Sequence, residues 1–200
     1  YPSVEFPASV HSLKRRGYTC KKVSPIDNKY PLHVFREKMS AKSRFLVHSH
    51  VQSLTGYRQN LNVLGDFCSK HGLNFIVNST QSFGAFEIDV KMSKIDALSS
   101  NGLKWLGCGY GIGILYLNER LIQDKVLPFT GWLSVDDPFA MDNENLNVLK
   151  KVSAMDSFGG CPNFAALFSL KGGLELIKYD IGVESIREGI NIMHVEALNL

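Results

Sequence analysis

Arg44-Phe-Leu-Val-His-Ser-His50 and Asn74-Phe-Ile-Val-Asn78 are short apolar runs on either side of an amphipathic stretch, and their reading decides the fold. Each is rich in Phe, Val, Ile or Leu and bounded by turn-forming residues, which marks a buried strand. Between them, Thr55-Gly56 breaks the chain. Asn60 to Lys70 then puts Leu61, Leu64 and Phe67 on one helical face, with Gly72 as the stop. The same alternation continues outward. Upstream, Val10 to Arg16 reads as a short helix closed by Gly17, Tyr18 to Val23 as a β-rich segment halted by Ser24-Pro25, and Leu32 to Met39 as a helix opened by Pro31. Downstream, Ile95 to Ser99 and Ile112 to Leu117 read as strands. Asn163 to Tyr179 and Val183 onward read as helices, the second with Ile186, Ile190 and Met193 at helical spacing. Strands alternating with helices predict an α/β fold with a mostly parallel sheet covered on both faces. Ligands in such sheets sit outside the carboxyl ends of the strands, which directs attention to His48–Tyr57, Asn78–Gln81 and Asn101–Lys104.

Composition narrows the function. The 200 residues are 44% hydrophobic and 20% charged with a mean hydropathy of −0.04, values of a folded domain with a real core. A net charge of +3 supplies no electrostatic argument for nucleic acid or anionic lipid, so neither is expected as a partner. No run approaches the roughly 18–20 apolar residues of a membrane span. Cys20, Cys68, Cys108 and Cys161 are scattered without a C-x-x-C pair, which predicts reduced thiols and a cytoplasmic setting. Tyr1-Pro-Ser-Val-Glu-Phe-Pro7 has neither the basic nor the apolar part of a secretory signal, and opens in what reads as the middle of a strand.

Three windows carry candidate chemistry. Lys104 lies in Ser99-Ser-Asn-Gly-Leu-Lys-Trp-Leu106, just past a strand and before a glycine-rich loop. Desolvation by Leu103 and Trp105 would lower its pKa and free the amine for a Schiff base; the plainer reading is a surface lysine whose stem lies on Trp105. Gly107-Cys-Gly-Tyr-Gly-Ile-Gly113 lacks the Gly-Lys-Ser/Thr ending of a phosphate loop and fits the close-packed start of a strand better. His48 and His50 face one side of their strand, without an acidic or cysteine partner at metal-ligand spacing, so core or cofactor-adjacent roles are expected. No cysteine has an assigned base for thiol catalysis.

Taken in order, five windows resemble the class V aminotransferase superfamily of pyridoxal-phosphate enzymes, a group that includes cysteine desulfurases, kynureninases and isopenicillin-epimerase-like proteins. They are Val4-Glu-Phe-Pro-Ala8, His50-Val-Gln-Ser-Leu-Thr-Gly56, Ile76-Val-Asn-Ser-Thr-Gln-Ser-Phe-Gly-Ala-Phe-Glu-Ile-Asp-Val90, the stretch from Asp96 through Lys104 to Gly113, and Gly160-Cys-Pro-Asn163. The resemblance implies a three-layer fold-type-I large domain with a mixed sheet between helices, pyridoxal 5'-phosphate as cofactor, an amino-acid substrate and a homodimer. It makes Lys104 the catalytic lysine that forms the aldimine and shuttles the proton at the substrate α-carbon. Phe6 would stack on the pyridine ring, and Gln81 would bond the phenolic oxygen. Asn78 stands where relatives carry the Asp that pairs with the pyridine nitrogen. Asn101 replaces a Ser or Gly, Leu103 a His, and Cys161 the Thr that reaches the phosphate of the partner subunit. Lyase or desulfurase chemistry is favoured over transamination on subgroup resemblance. The replacements at Asn78, Leu103 and Cys161 motivate an alternative, a degenerate module kept for interaction or regulation. Relatives carry a further N-terminal stretch and a C-terminal small domain, so residues 1–200 are expected to be the large-domain portion of a longer protein.

Overall fold

The computed structural model describes residues 1–122, 131–144 and 162–199. The strands β1 (Phe45–Ser49), β2 (Asn74–Asn78), β3 (Ala97–Asn101) and β4 (Gly113–Leu117) form one sheet in the order β1-β2-β3-β4. The first three run parallel and β4 returns antiparallel to β3. The helices are α1 (Ala8–Arg15), α2 (Leu32–Lys38), α3 (Leu61–Lys70), α4 (Glu119–Ile122), α5 (Phe164–Glu175) and α6 (Val183–Leu198), with a π-helical segment, Leu176–Ile181, joining the last two. This is the expected α/β arrangement with a mixed sheet.

Register explains the main core. Leu46 pairs with Phe75 and His48 with Val77, so these four side chains share one face of the sheet. Phe75 and Val77 are fully buried in a cluster with Phe35 of α2 and with Leu64 and Phe67 of α3. The helix α3 begins where the Asn60 side chain accepts the Val63 N–H at 3.1 Å, a cap that satisfies one of the orphan donors of the first turn. Gly65 lets this helix lie against the chain at Ser93, where a Cβ would come within 1.9 Å of a carbonyl oxygen.

Three sequence expectations shift. Tyr18 to Val23 forms no strand; only an isolated bridge joins Val23 to Pro2, so β-rich composition there finds no neighbouring strand to pair with. The expected strand Ile95–Ser99 runs two residues later, as Ala97–Asn101, although the Asp96 N–H still donates to the Phe75 carbonyl at 2.9 Å and its carbonyl accepts the Asn118 N–H at 2.7 Å. The buried Asp96 carboxylate accepts the Phe75 N–H at 2.8 Å and two bonds from the Arg120 guanidinium, which clasps the end of β4 to the start of β3. The helix read as Asn163–Tyr179 leaves α-helical geometry after Glu175.

Asp96→Ala removes the acceptor of a buried N–H, and is expected to cost about 1–3 kcal/mol. Urea unfolding should show this as a lower midpoint at unchanged slope.

Candidate functional site

The parallel register brings Ser49, Asn78 and Ser99 into one row at the carboxyl edge of the sheet. The chain leaves each strand there in a tied path: the His50 N–H donates to the Asn78 carbonyl at 2.9 Å, and the Ser79 N–H to the Ser99 carbonyl at 2.8 Å. The Asn78 side chain is held at both ends. Its Nδ2 donates to Ser9 Oγ at 2.9 Å, and its Oδ1 accepts the Thr80 N–H at 3.0 Å. Thr80 Oγ1 accepts the Asn101 N–H at 3.3 Å, and the Gln81 carbonyl accepts the Trp105 indole N–H at 2.9 Å. Asn78 is thereby linked to Asn101 through Thr80, and Gln81, the next residue in the chain, to the residue that follows Lys104.

The loop that carries Lys104 is set by backbone contacts. Gly102 donates to the Ile112 carbonyl at 2.9 Å and accepts from Cys108 N at 3.0 Å. A Cβ on Gly102 would lie 2.3 Å from Cys108 Sγ, and one on Gly113 would lie 2.7 Å from the Ser100 carbonyl. Close packing at the start of β4 therefore holds for Gly113 alone of the stretch; Gly107, Gly109 and Gly111 take positive φ of 61°, 73° and 85°, and a Cβ there would meet no neighbour closer than 3.7 Å, so they serve the turn rather than the packing expected of them. On the other side, α5 presses against the loop at Gly173, where a Cβ would meet the Leu106 carbonyl at 2.1 Å.

Lys104 itself is exposed. The desolvation expected from its neighbours is not supplied, since Leu103 and Trp105 are themselves 39% and 41% exposed and the Trp105 indole is turned to Gln81. Phe6 is half-exposed and sits just before α1. Its position follows from Glu5, whose buried carboxyl accepts the Phe6 N–H at 3.1 Å, Ser9 Oγ at 3.0 Å, the Ser49 N–H at 2.7 Å, Gln52 Nε2 at 3.2 Å and the Ser49 hydroxyl. Phe6, Asn78, Gln81, Asn101 and Lys104 are all attached to the carboxyl edge of the sheet. Cys161 lies outside the described residues. Sequence reading missed Glu5, Ser9, Ser49 and Gln52; the signal was one acid inside the apolar Val4-Glu5-Phe6, which local pattern alone does not distinguish from a surface residue.

His48 and His50 take the polar-core role. The His48 ring is fully buried against Tyr30 and Phe35, with Nδ1 2.6 Å from the Ser49 carbonyl. Burial pushes its pKa down to about 4. His50, edge-on to Phe86, is also pushed down to about 4, by burial first and then by the Arg58 and His48 charges. Among the described residues no group of His, Cys, Asp and Glu is placed to hold a metal ion. A cavity of about 490 Å³ opens at the other end of β1, lined by Val10, Leu13, Phe35 and Leu46 among others, and none of the candidate site residues borders it. The chemistry lies on the open carboxyl edge instead.

The sequence profile of the family described as aminotransferase class-V matches residues 3–199. An uncharacterized aminotransferase, YcbU of Bacillus subtilis (strain 168), is 25% identical over 199 residues, covering 99% of this chain and 52% of its own. A probable cysteine desulfurase of Pyrococcus abyssi is 28% identical over 153 residues, 76% of this chain and 36% of its own. The apo structure of a cysteine desulfurase from Thermococcus onnurineus NA1 superposes with a TM-score of 0.77 at 22% identity, over 92% of this chain and 46% of that one. The chain thus spans about half, or less, of the length of these relatives.

The two histidines generate a pH prediction. An unfolded histidine takes up its proton near 6.5, whereas these rings stay neutral until about pH 4. Between those values the unfolded state binds more protons, so stability falls as pH falls, by about 1.4 kcal/mol per pH unit for each ring. His50→Gln should remove one such contribution. Urea midpoints at pH 7, 6 and 5 check the difference in slope.

Proposed function

Because the chain belongs to the class-V aminotransferase family, we propose that it is the large-domain part of an enzyme that uses pyridoxal 5'-phosphate to act on an amino acid. The observation that carries this reading is the tie between the Lys104 loop and the Asn78–Gln81 turn through Trp105 Nε1 and the Gln81 carbonyl. The residue types at this edge fit the cofactor: a primary amine on a loop set by its backbone, an exposed aromatic ring, and an amide fixed at both its nitrogen and its oxygen. The bound cofactor would supply an aldehyde that captures amines and a ring that draws electrons from the substrate α-carbon. This chain would supply the rest. Lys104 Nζ attaches the cofactor and moves the proton at the α-carbon, Phe6 covers the ring face, and Gln81 meets the phenolic oxygen. Asn78 meets the ring nitrogen with a neutral amide and gives it no charge, which weakens the pull on electrons.

The reaction subtype is proposed as lyase-like or aminotransferase. A desulfurase would not draw its nucleophile from Cys68, because burial, reinforced by Asp96, pushes that thiol up to about 12. The alternative of a non-catalytic module has less support, since Asn78 remains held at the edge shared with Gln81 and Lys104. A homodimer fits the exposed Phe164, Phe168 and Tyr179 on the last helical layer. The free thiols of Cys20, Cys68 and Cys108 are consistent with a cytoplasmic setting. Among the described residues no helix is long and apolar enough to cross a membrane.

The reading is tested on the full-length protein supplied with pyridoxal 5'-phosphate and then reduced with borohydride. A pyridoxyl mass increment on the peptide that carries Lys104 is expected, and Lys104→Ala should lose it while keeping the circular dichroism of the fold. A protein that takes up no cofactor would overturn the proposal. Asn78→Asp places a charge at the ring nitrogen, and a charge-assisted hydrogen bond is roughly twice as strong as a neutral one. Cofactor affinity should rise, by less than the roughly tenfold gain such a bond alone would give, because the Ser9 hydroxyl must turn its proton from Glu5 to the new carboxylate; titration of the visible absorbance reads it.

A further inference from the structure

The most heavily bonded side chain of the described residues has so far been linked only to the position of Phe6. Glu5 is 7% exposed and meets five donors. Three of these, the Phe6 and Ser49 N–H groups and Gln52 Nε2, can only donate, and they reach both carboxyl oxygens. The group is thus an acceptor at each oxygen, and the one proton of Ser9 Oγ is committed to it at 3.0 Å. What remains on Ser9 Oγ is a lone pair, and Asn78 Nδ2 donates to it at 2.9 Å. The amide of Asn78 consequently has one permitted orientation, nitrogen toward Ser9 and oxygen toward the Thr80 N–H. The same carboxyl fixes the backbone N–H of Phe6 and anchors both to Ser49 in β1.

We propose that Glu5, acting through Ser9, is a positioning residue of this site: it sets the orientation of the Asn78 amide toward the ring nitrogen and the placement of Phe6 on the ring face from a single anchor. The proposal rests on the pyridoxal-phosphate reading above. It also accounts for a feature that reading leaves open. Where an aspartate would be held by its own charge, an amide has two faces of opposite polarity, and a device that chooses between them becomes necessary. Ser9 makes the choice together with the Thr80 N–H, the first because its hydroxyl proton is already taken and the second because a backbone N–H can only donate.

The test uses the full-length protein and a double-mutant cycle on cofactor affinity and absorbance. Ser9→Ala removes the link to Asn78 and leaves four of the five Glu5 contacts in place, so the fold should survive, as read by thermal melting without cofactor. Its dissociation constant for pyridoxal 5'-phosphate should rise roughly threefold to tenfold, the range of one neutral hydrogen bond. The visible maximum of the bound cofactor should shift, and Ser9→Thr should restore both. In an Asn78→Ala background the Ser9→Ala effect should vanish, because its target is gone. Unchanged affinity and spectrum in Ser9→Ala, or an effect that persists at full size in the Asn78→Ala background, overturns the relay while leaving the cofactor reading intact. A wild-type protein that binds no pyridoxal 5'-phosphate overturns both.

Discussion

Strands that run in one direction must end on one edge, and their register decides which residues meet there. Ser49, Asn78 and Ser99 occupy that terminal row. Everything else at the candidate site is fastened to it: the segment before α1 through Glu5 and Ser49, the amide of Asn78 through Ser9, and the turn after β2 through the carbonyl of Ser99. The antiparallel β4 starts from the same edge, since Gly113 pairs with Asn101. The lysine-bearing loop is therefore confined between the end of one strand and the beginning of the next.

The residues buried along the sheet are of two kinds. Phe75, Val77 and Leu98 make a dry interior, where burial of apolar area is the stabilising force. At the carboxyl edge Glu5, His48, His50 and Gln52 are buried instead. Removing such groups from water is unfavourable unless their hydrogen bonds are replaced. Glu5 achieves this with five donors. The histidines avoid a buried charge by staying neutral, while His48 Nε2 and His50 Nδ1 remain buried without a hydrogen-bond partner. This edge gives up some packing stability to keep polar groups in fixed positions, which is the usual character of a site rather than a core.

Much of the architecture was legible in local pattern. The helix from Asn60 showed its cap, its apolar face at Leu61, Leu64 and Phe67, and its Gly72 stop, all of them short-range signals. The strands β1 and β2 were legible as uninterrupted apolar runs. What local pattern did not reveal depends on partners distant in sequence. Ser99-Ser100-Asn101 has little intrinsic strand preference and completes β3 because β4 pairs with it, while the buried Asp96 carboxylate just ahead of β3 is held by Arg120, 24 positions away. Tyr18 to Val23 has strand-like composition and no neighbour to bond. Lys104, Asn78, Gln81, Asn101 and Phe6 were put forward from the order of motifs, and the fold brings the segments that carry them to one edge of the sheet. Glu5 was not among them, because its importance comes from contacts with residues 44 and 47 positions away.

The glycines around the lysine loop have a further consequence. At Gly102, Gly113 and Gly173 the space a side chain would need is already filled by other atoms, in two of the three cases by a backbone carbonyl. The path of the loop is accordingly set by main-chain spacing together with three side chains that anchor it: Leu106 and Cys108, both buried, and Trp105, whose indole bonds the Gln81 carbonyl. Leu103 and Tyr110 are exposed on that path and bear little of its geometry. Such a loop separates two kinds of position: a side chain added at Gly102, Gly113 or Gly173 would force neighbouring atoms to shift, while one changed at Leu103 or Tyr110 meets largely solvent.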